Sequence, residues 1–265
     1  MIRAQWLLQS NHPNLGTITE IAAILENLGR SVHQVALKAH SAEMPVLLSI
    51  DPTLPVICYG PSFVPRAYRY PGLEPGIFFD HELFSYTAFQ RGWGELMLSR
   101  DAKLVPIEDV KRTIAEHGRV FVRPDEDNKL FDGGIYDTES FGAIVAMLEA
   151  KDRLSRSTGV IVAPIVEIEA EWRTFVVDGE VVAASSYRVD GKANIDAHVP
   201  YAVTDLVYEA VERWRPDTVF CLDIARSEGR YGVVEANCFN AARLYGANPR
   251  AILQAVSEFV EATFG

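Results

Sequence analysis

The stretch TVFCLDIARSEGRYGVVEAN, residues 218–237, decides how this chain is interpreted. Two mostly apolar runs flank the turn-prone residues 227–230, and this pattern predicts a β-hairpin. With the turn centred there, Asp223 lies opposite Glu235, and Asn237 follows two residues later. Side chains repeat every second residue along a strand, so the three residues share one face of the sheet. The sequence therefore predicts two carboxylates and an amide gathered at one point.

Such a group of oxygen atoms favours a divalent cation. Two neighbouring carboxylates repel each other unless a cation lies between them. Magnesium prefers oxygen ligands and completes its coordination with water and phosphate oxygens. The alternative is a hairpin with an ordinary solvated acidic face. Phe220, Leu222, Val233 and Val234 make the strands largely apolar, which favours acids that line a cleft over acids on an open surface.

Length, composition and charge limit the classes of protein to consider. A chain of 265 residues predicts about two domains or lobes. A hydrophobic fraction of 48% and a charged fraction of 23% are typical of a soluble globular protein. The net charge of -11 argues against general binding to nucleic acid or to anionic membranes. No run approaches the ~20 apolar residues of a membrane span, and the N-terminus lacks a signal peptide, so we expect a cytoplasmic protein.

Cysteine and histidine give no sign of a separate catalytic or metal site. The chain has three cysteines and six histidines, and none is spaced like a zinc ligand set or a disulfide framework. No local arrangement activates a cysteine nucleophile. We expect Cys58, Cys221 and Cys238 to be buried thiols.

The first third of the chain alternates between strands and a helix. Strands are predicted at residues 4–9, 32–37 and 55–59. Between the first two, Thr17 and Glu20 have the spacing of a capping box, and apolar residues with helical periodicity follow. This pattern predicts a small α/β domain with a parallel sheet.

A polar loop between two later strands has the pattern of a flap. The strand at 119–123 leads into PDEDNKLFDG, and a second strand returns at 133–136. Arg123 and Lys129 could neutralise phosphates held under such a flap. The alternative is an acidic surface hairpin whose lysine is solvated.

The remaining segments complete the order of elements. Residues 160–168 are predicted to form a nearly continuous apolar strand, and residues 172–187 a hairpin turned at Asp178 and Gly179. A helix with apolar residues from 203 to 214 precedes the acidic hairpin. A last helix begins at Pro249.

These pieces, in this order, resemble the ATP-grasp superfamily. The resemblance rests on the basic flap, a helix, VIVAPIVEIE, EWRTFVVDGEVV, LDIA and VVEAN, with Asn240 close behind. The usual Lys-Pro of the first flap strand is Arg123-Pro124 here. This substitution is similar to a divergent clade of phage and bacterial proteins that also contains the eukaryotic assembly factor of a translation initiation complex. The resemblance implies a mixed α/β (α+β) ATP-grasp fold: a pre-ATP-grasp α/β domain at residues 1–100 and an ATP-grasp domain at 101–265, with a flap lobe near 105–162 and a metal-binding lobe near 163–265.

The resemblance also implies roles for individual residues toward ATP and Mg²⁺. It assigns nucleotide binding to Arg123, Lys129, Ile165, Val166, Glu167, Lys192 and Asn240, metal binding to Asp223, Glu235 and Asn237, and catalytic contacts to Arg123, Lys129, Arg173 and Arg243. The backbone around Ile165 would bind adenine, and Glu167 would accept hydrogen bonds from the ribose. Arg173 and Arg243 would contact the γ-phosphate or an acidic group of the substrate. For Arg173, a surface salt bridge is the alternative.

The implied activity is that of an ATP-dependent carboxylate–amine ligase. The γ-phosphate would pass to a carboxylate, and an amine would attack the acyl phosphate to form an amide. The clade favours a peptide or protein as substrate. Two other functions stay open: an ATP-binding assembly factor that performs no ligation, and a phosphotransferase that acts on a hydroxyl.

Overall fold

A computed structural model describes residues 3–12, 14–38, 43–45, 49–67, 70–126, 130–153, 155 and 158–265. Its strands are β1 (Gln5–Gln9), β2 (Ser31–Val35), β3 (Val56–Tyr59), β4 (Pro75–Gly76), β5 (Lys103–Pro106), β6 (Val120–Pro124), β7 (Gly134–Tyr136), β8 (Gly159–Ala163), β9 (Ala170–Val177), β10 (Glu180–Val189), β11 (Lys192–Asp196), β12 (Val219–Ser227) and β13 (Arg230–Cys238). Its helices are α1 (Leu15–Asn27), α2 (Val64–Ala67), α3 (Tyr86–Trp93), α4 (Val110–His117), α5 (Thr138–Ala150), α6 (Tyr201–Arg213) and α7 (Pro249–Phe264). None of the helices in these ranges has the length and apolar character that crossing a membrane requires.

The N-terminal third is a parallel α/β unit, as the sequence predicted. Its sheet has the strand order β2-β1-β3-β4, and all neighbouring strands run parallel. The predicted capping box was wrong, because α1 begins at Leu15, two residues before Thr17. Asn14 caps the helix instead, and its side-chain oxygen accepts from the Thr17 amide at 3.4 Å.

The flap lobe is built on an antiparallel sheet of order β5-β8-β6-β7. Helices α4 and α5 supply Ile114 and Phe141 to its core. The strand predicted at 160–168 is shorter in the structure and ends at Ala163. Pro164 explains the difference, since a proline has no N–H to continue the ladder.

The C-terminal lobe contains an antiparallel sheet of order β11-β10-β9-β12-β13. Both predicted hairpins are confirmed. Their turns place Asp178 and Gly179 at φ 49° and 90°, and Glu228 and Gly229 at φ 49° and 73°. Two consecutive residues at positive φ are typical of a type I′ turn, whose twist matches that of the flanking strands.

The described residues pack into three apolar clusters. One belongs to the flap lobe alone and contains Ile107, Val122 and Phe141 among others. The other two each combine residues of the N-terminal sheet with residues of the C-terminal sheet. The N-terminal third therefore packs as one body with the C-terminal lobe. The flap lobe has its own core, and its strand β8 also contributes Ile161 and Ala163 to one of the two shared clusters. The domain boundary at residue 100 stays a prediction.

Candidate active site

The acidic hairpin brings its three polar residues together, as its predicted register implies. Asp223 on β12 pairs with Glu235 on β13. The Asn237 amide donates from Nδ2 to Asp223 Oδ2 and to Glu235 Oε1, at 3.2 Å each. These contacts require that all three side chains lie on one face of the sheet. Their role as metal ligands stays a prediction.

Two arginines neutralise these carboxylates. Arg173 on β9 donates from Nε to Asp223 Oδ1 at 2.8 Å and from Nη2 to Oδ2 at 2.7 Å. Both partners are buried, with Arg173 8% and Asp223 2% exposed, so Arg173 does not form the surface salt bridge considered as its alternative. Arg123 on β6 donates from Nη1 to Glu235 Oε2 at 2.6 Å. This second pair joins the flap lobe to the C-terminal lobe.

Burial and neighbouring charge act differently on the two acids. Burial raises the pKa of Asp223, and Arg173 opposes that shift. Burial also acts to raise the pKa of Glu235, but Arg123, Asn237 and Arg173 outweigh it, so the net pKa is lowered. Glu235 is thereby held as a carboxylate, which is the form that binds a cation.

Tyr187, Glu171 and Arg188, to which sequence reasoning gave no role, lie in a cluster that adjoins Arg173. The rings of Tyr187 and Tyr245 stack at 4.8 Å between centroids and 14° between planes, and Arg173 Cζ lies 5.9 Å and 5.2 Å from their centroids. Tyr187 donates its O–H to Glu171 Oε1 at 3.0 Å, and Arg188 pairs with Glu171 at 2.9 Å. Tyr187 lies at a β-bulge in β10, and a bulge shifts side chains from the plain alternation that sequence reasoning assumes.

Two adjoining cavities open onto these side chains. A polar cavity of about 380 Å³ lies against Arg173, Asp223 and Glu235. A more apolar cavity of about 440 Å³ lies between the flap lobe and the C-terminal sheet. Arg123 and Glu171 line both cavities, so the two are adjacent. Each volume falls within the range of roughly 300–1,000 Å³ that is common for ligand pockets.

Some of the other predicted site residues line the apolar cavity, and others lie at the surface. Ile165 and Val166 line the apolar cavity. Glu167, Lys192 and Arg243 are exposed and line neither cavity. Lys129 lies outside the described residues, so its predicted contact with phosphate stays a prediction.

Asn240 lines neither of these two cavities. Its side chain is fully buried. Nδ2 donates to the carbonyl of Cys58 at 2.6 Å, and Oδ1 accepts from the amide of Phe78 at 2.8 Å. These bonds tie the end of the acidic hairpin to the N-terminal sheet. We therefore leave Asn240 out of the proposed nucleotide site.

The donor atoms of the acidic hairpin suit magnesium. In the described part of the chain, no three His, Cys, Asp or Glu side chains gather as a metal site. The amide oxygen of Asn237 would therefore be the third protein ligand beside Asp223 and Glu235, and all three are oxygen ligands. Both carboxylates are paired with arginines. A cation at this position would share the carboxylates with Arg123 and Arg173 or displace those arginines.

Solved structures share this fold at low sequence identity. The structure of the ATP-grasp ligase PsnB, complexed with minimal precursor, Mg and ADP, is 16% identical and superposes with a TM-score of 0.55, covering 97% of this chain and 98% of that chain. D-alanine–D-alanine ligase from Bacillus anthracis complexed with ATP gives 13% identity, a TM-score of 0.63 and full coverage of both chains at 100%. An ATP-grasp RimK domain protein from Sphaerobacter thermophilus is 15% identical and superposes with a TM-score of 0.64. The match covers 96% of this chain and 98% of that chain.

A family model identifies the chain more specifically than these structures do. No protein with a curated description matches the chain. The model for the ATP-grasp domain of the R-to-K clade, family 2, matches residues 98–255, which is more than half of the sequence. The matched range contains the flap, the connecting strand and the acidic hairpin on which the resemblance was based. The chain therefore belongs to the ATP-grasp superfamily, in family 2 of its R-to-K clade.

Proposed function

We propose that this protein is an ATP-dependent carboxylate–amine ligase that acts on a peptide or protein. A carboxylate oxygen of the substrate attacks the γ-phosphorus and ADP leaves. An amine nitrogen then attacks the acyl carbon, phosphate leaves, and the amine loses a proton to give an amide. The comparison with PsnB supports a peptide substrate, since a structure of that ligase contains its precursor peptide.

One observation carries the proposal: three acidic or amide side chains and two arginines converge where a polar cavity meets an apolar one. We assign adenine to the apolar cavity beside Ile165 and Val166. The triphosphate would then extend past Arg123 toward the acidic hairpin. The acceptor carboxylate would lie in the polar cavity near Arg173.

The chain's own side chains would act by positioning and by charge. Arg123 would hold phosphate oxygens through charge-assisted hydrogen bonds. Arg173, held in place by Asp223, would orient an anionic group in the polar cavity. Fixed donors of this kind stabilise charge that develops during transfer without reorganising. Magnesium held by Asp223, Glu235 and Asn237 would neutralise charge on the phosphates. No side-chain nucleophile is needed.

The metal-dependent part of the proposal is tested by substituting Glu235 with glutamine. Glu235→Gln keeps the size and polarity of the side chain but removes the negative charge. We expect the affinity for ATP in the presence of Mg²⁺, measured by calorimetry, to fall by at least about 10-fold, as for other losses at metal sites. Glu212→Gln, at an exposed position of α6, is the matched control and should bind as the wild type does. Wild-type affinity in Glu235→Gln would contradict the site assignment.

The reaction itself is tested with the purified chain, ATP, Mg²⁺ and a pool of peptides. A ligase converts ATP to ADP over repeated turnovers only when both a carboxylate and an amine are present. Hydroxylamine, used as the amine, would trap the acyl phosphate as a hydroxamate that mass spectrometry detects. A phosphorylated hydroxyl would instead indicate a phosphotransferase. Tight ATP binding without ADP release would indicate an assembly factor, and either result would reject the ligase.

A further inference from the structure

The end of the flap strand β6 is attached to the start of α3, a helix that precedes the region matched by the family model. Asp125 Oδ1 accepts from the backbone N–H and from the hydroxyl of Thr87, both at 2.8 Å. The Tyr86 amide donates to the carbonyl of Asp125 at 2.9 Å. Ser85 and Glu126 form an antiparallel bridge beside them. We call the contacts between Asp125 and Thr87 the Thr87–Asp125 clamp.

The same helix supports the guanidinium of Arg123. Arg123 Cζ lies 5.3 Å from the centroid of the Tyr86 ring, within the distance of a cation–π contact. Tyr86 is itself fixed, since it is buried and its O–H donates to the carbonyl of Ser99 at 3.2 Å. The guanidinium of Arg123 therefore packs against an aromatic ring of the N-terminal domain. In the sequence, Arg123 lies two residues before Asp125 of the clamp.

The clamp lies between two apolar clusters. Val122, next to Arg123, belongs to the core of the flap lobe, whereas Tyr86 belongs to a core shared by the N-terminal and C-terminal sheets. Ile161 and Ala163 of β8 also belong to the shared core, so apolar packing joins the flap lobe to it at β8, and the clamp adds a polar connection at the end of β6. A long arginine side chain also loses rotamer freedom when it binds a ligand, and prior placement reduces that cost.

We propose that Thr87, Asp125 and Tyr86 are positioning residues that hold Arg123 in place for the phosphates of the nucleotide. The N-terminal domain would thereby complete the nucleotide site. The inference rests on the proposed function, in which Arg123 contacts phosphate. Asp125 and Thr87 line neither cavity and would act through Arg123, whereas the Tyr86 ring also lines the apolar cavity.

Substitutions at Asp125 in the full chain test the clamp. Asp125→Ala removes the acceptor, whereas Asp125→Asn keeps an oxygen that can accept from both groups of Thr87. We expect the affinity for ATP with Mg²⁺ to fall about 10-fold in Asp125→Ala and to stay within about 3-fold of wild type in Asp125→Asn, because a misplaced binding group loses most of its interaction. Thr87→Val should weaken binding, and Thr87→Ser should not. This second pair alters only a hydroxyl and keeps the test valid if Asp125→Ala fails to fold.

A double-mutant cycle with Arg123→Ala separates positioning from general stability. If the clamp acts through Arg123, Asp125→Ala should change affinity less than about 2-fold once the guanidinium is gone. Asp125→Ala could instead lower the affinity for ATP equally in the wild-type and Arg123→Ala backgrounds, or in neither. Either result would overturn the proposed role of the clamp and leave the proposed function standing. Wild-type affinity in Arg123→Ala alone would remove the assumed phosphate contact, and both proposals would fall.

Discussion

At the scale of residues, burial distinguishes two arginine–carboxylate pairs of similar length. Arg173 and Asp223 are bonded at 2.7 Å in the interior. Arg226 and Glu169 are bonded at 2.6 Å, and both side chains are partly exposed. Removing one partner of a buried pair leaves a charge without water or counter-charge. Removing one partner of an exposed pair leaves a charge that water solvates.

Arg173→Ala should therefore lower the free energy of unfolding by about 3–5 kcal/mol. Arg226→Ala, the matched control, should lower it by no more than about 1 kcal/mol. Urea denaturation, monitored by circular dichroism, measures the free energy of unfolding of both variants. Equal losses in the two variants would show that the Arg173 pair is solvated rather than buried.

At the scale of elements, β13 approaches the backbone of Leu98 so closely that its Gly232 has no room for a side chain. The Leu98 amide donates to the carbonyl of Val233 at 2.8 Å. A Cβ placed on Gly232 would lie 2.7 Å from Leu98 Cα, and a backbone atom cannot rotate away as a side chain can. The contact fixes β13, and with it Glu235, against the segment that enters the flap lobe.

Gly232→Ala should thus destabilise the protein by about 1–3 kcal/mol, the usual cost of overpacking. Gly142, in α5, has open space where its Cβ would be. Gly142→Ala should stabilise the protein by up to about 1 kcal/mol, because alanine favours the helix. Chemical denaturation distinguishes the two signs, and stabilisation in both variants would contradict the close approach at Leu98.

At the scale of the whole molecule, the N-terminal third shares its apolar core with the C-terminal lobe. Trp6 donates its indole N–H to the hydroxyl of Ser257 at 3.1 Å. Trp6 also shares an apolar cluster with Phe175 and Phe239 of the C-terminal lobe. A second cluster joins Phe89 and Trp93 to Phe220. Removing the N-terminal third would therefore expose the inner faces of the C-terminal sheet.

A fragment of residues 98–265, which begins where the family match begins, should lose the cooperative thermal transition. It should also bind a hydrophobic dye strongly, because its apolar faces lack their partners. Deletion of the exposed residues 262–265 is the control and should leave the transition in place. A sharp transition in the 98–265 fragment, measured by calorimetry, would show that the ATP-grasp part folds alone.

Local chemistry in the sequence determined the parallel N-terminal unit, the two hairpins and the gathering of Asp223, Glu235 and Asn237. Turn residues and strand periodicity act between neighbours in the chain, so these features follow from short segments. Only the tertiary structure decided that Arg173 is buried against Asp223, that Asn240 binds the N-terminal sheet, and that Tyr86 and Asp125 meet around Arg123. Those contacts join segments that are distant in the chain, and they depend on how separately folded sheets pack, which no local pattern specifies.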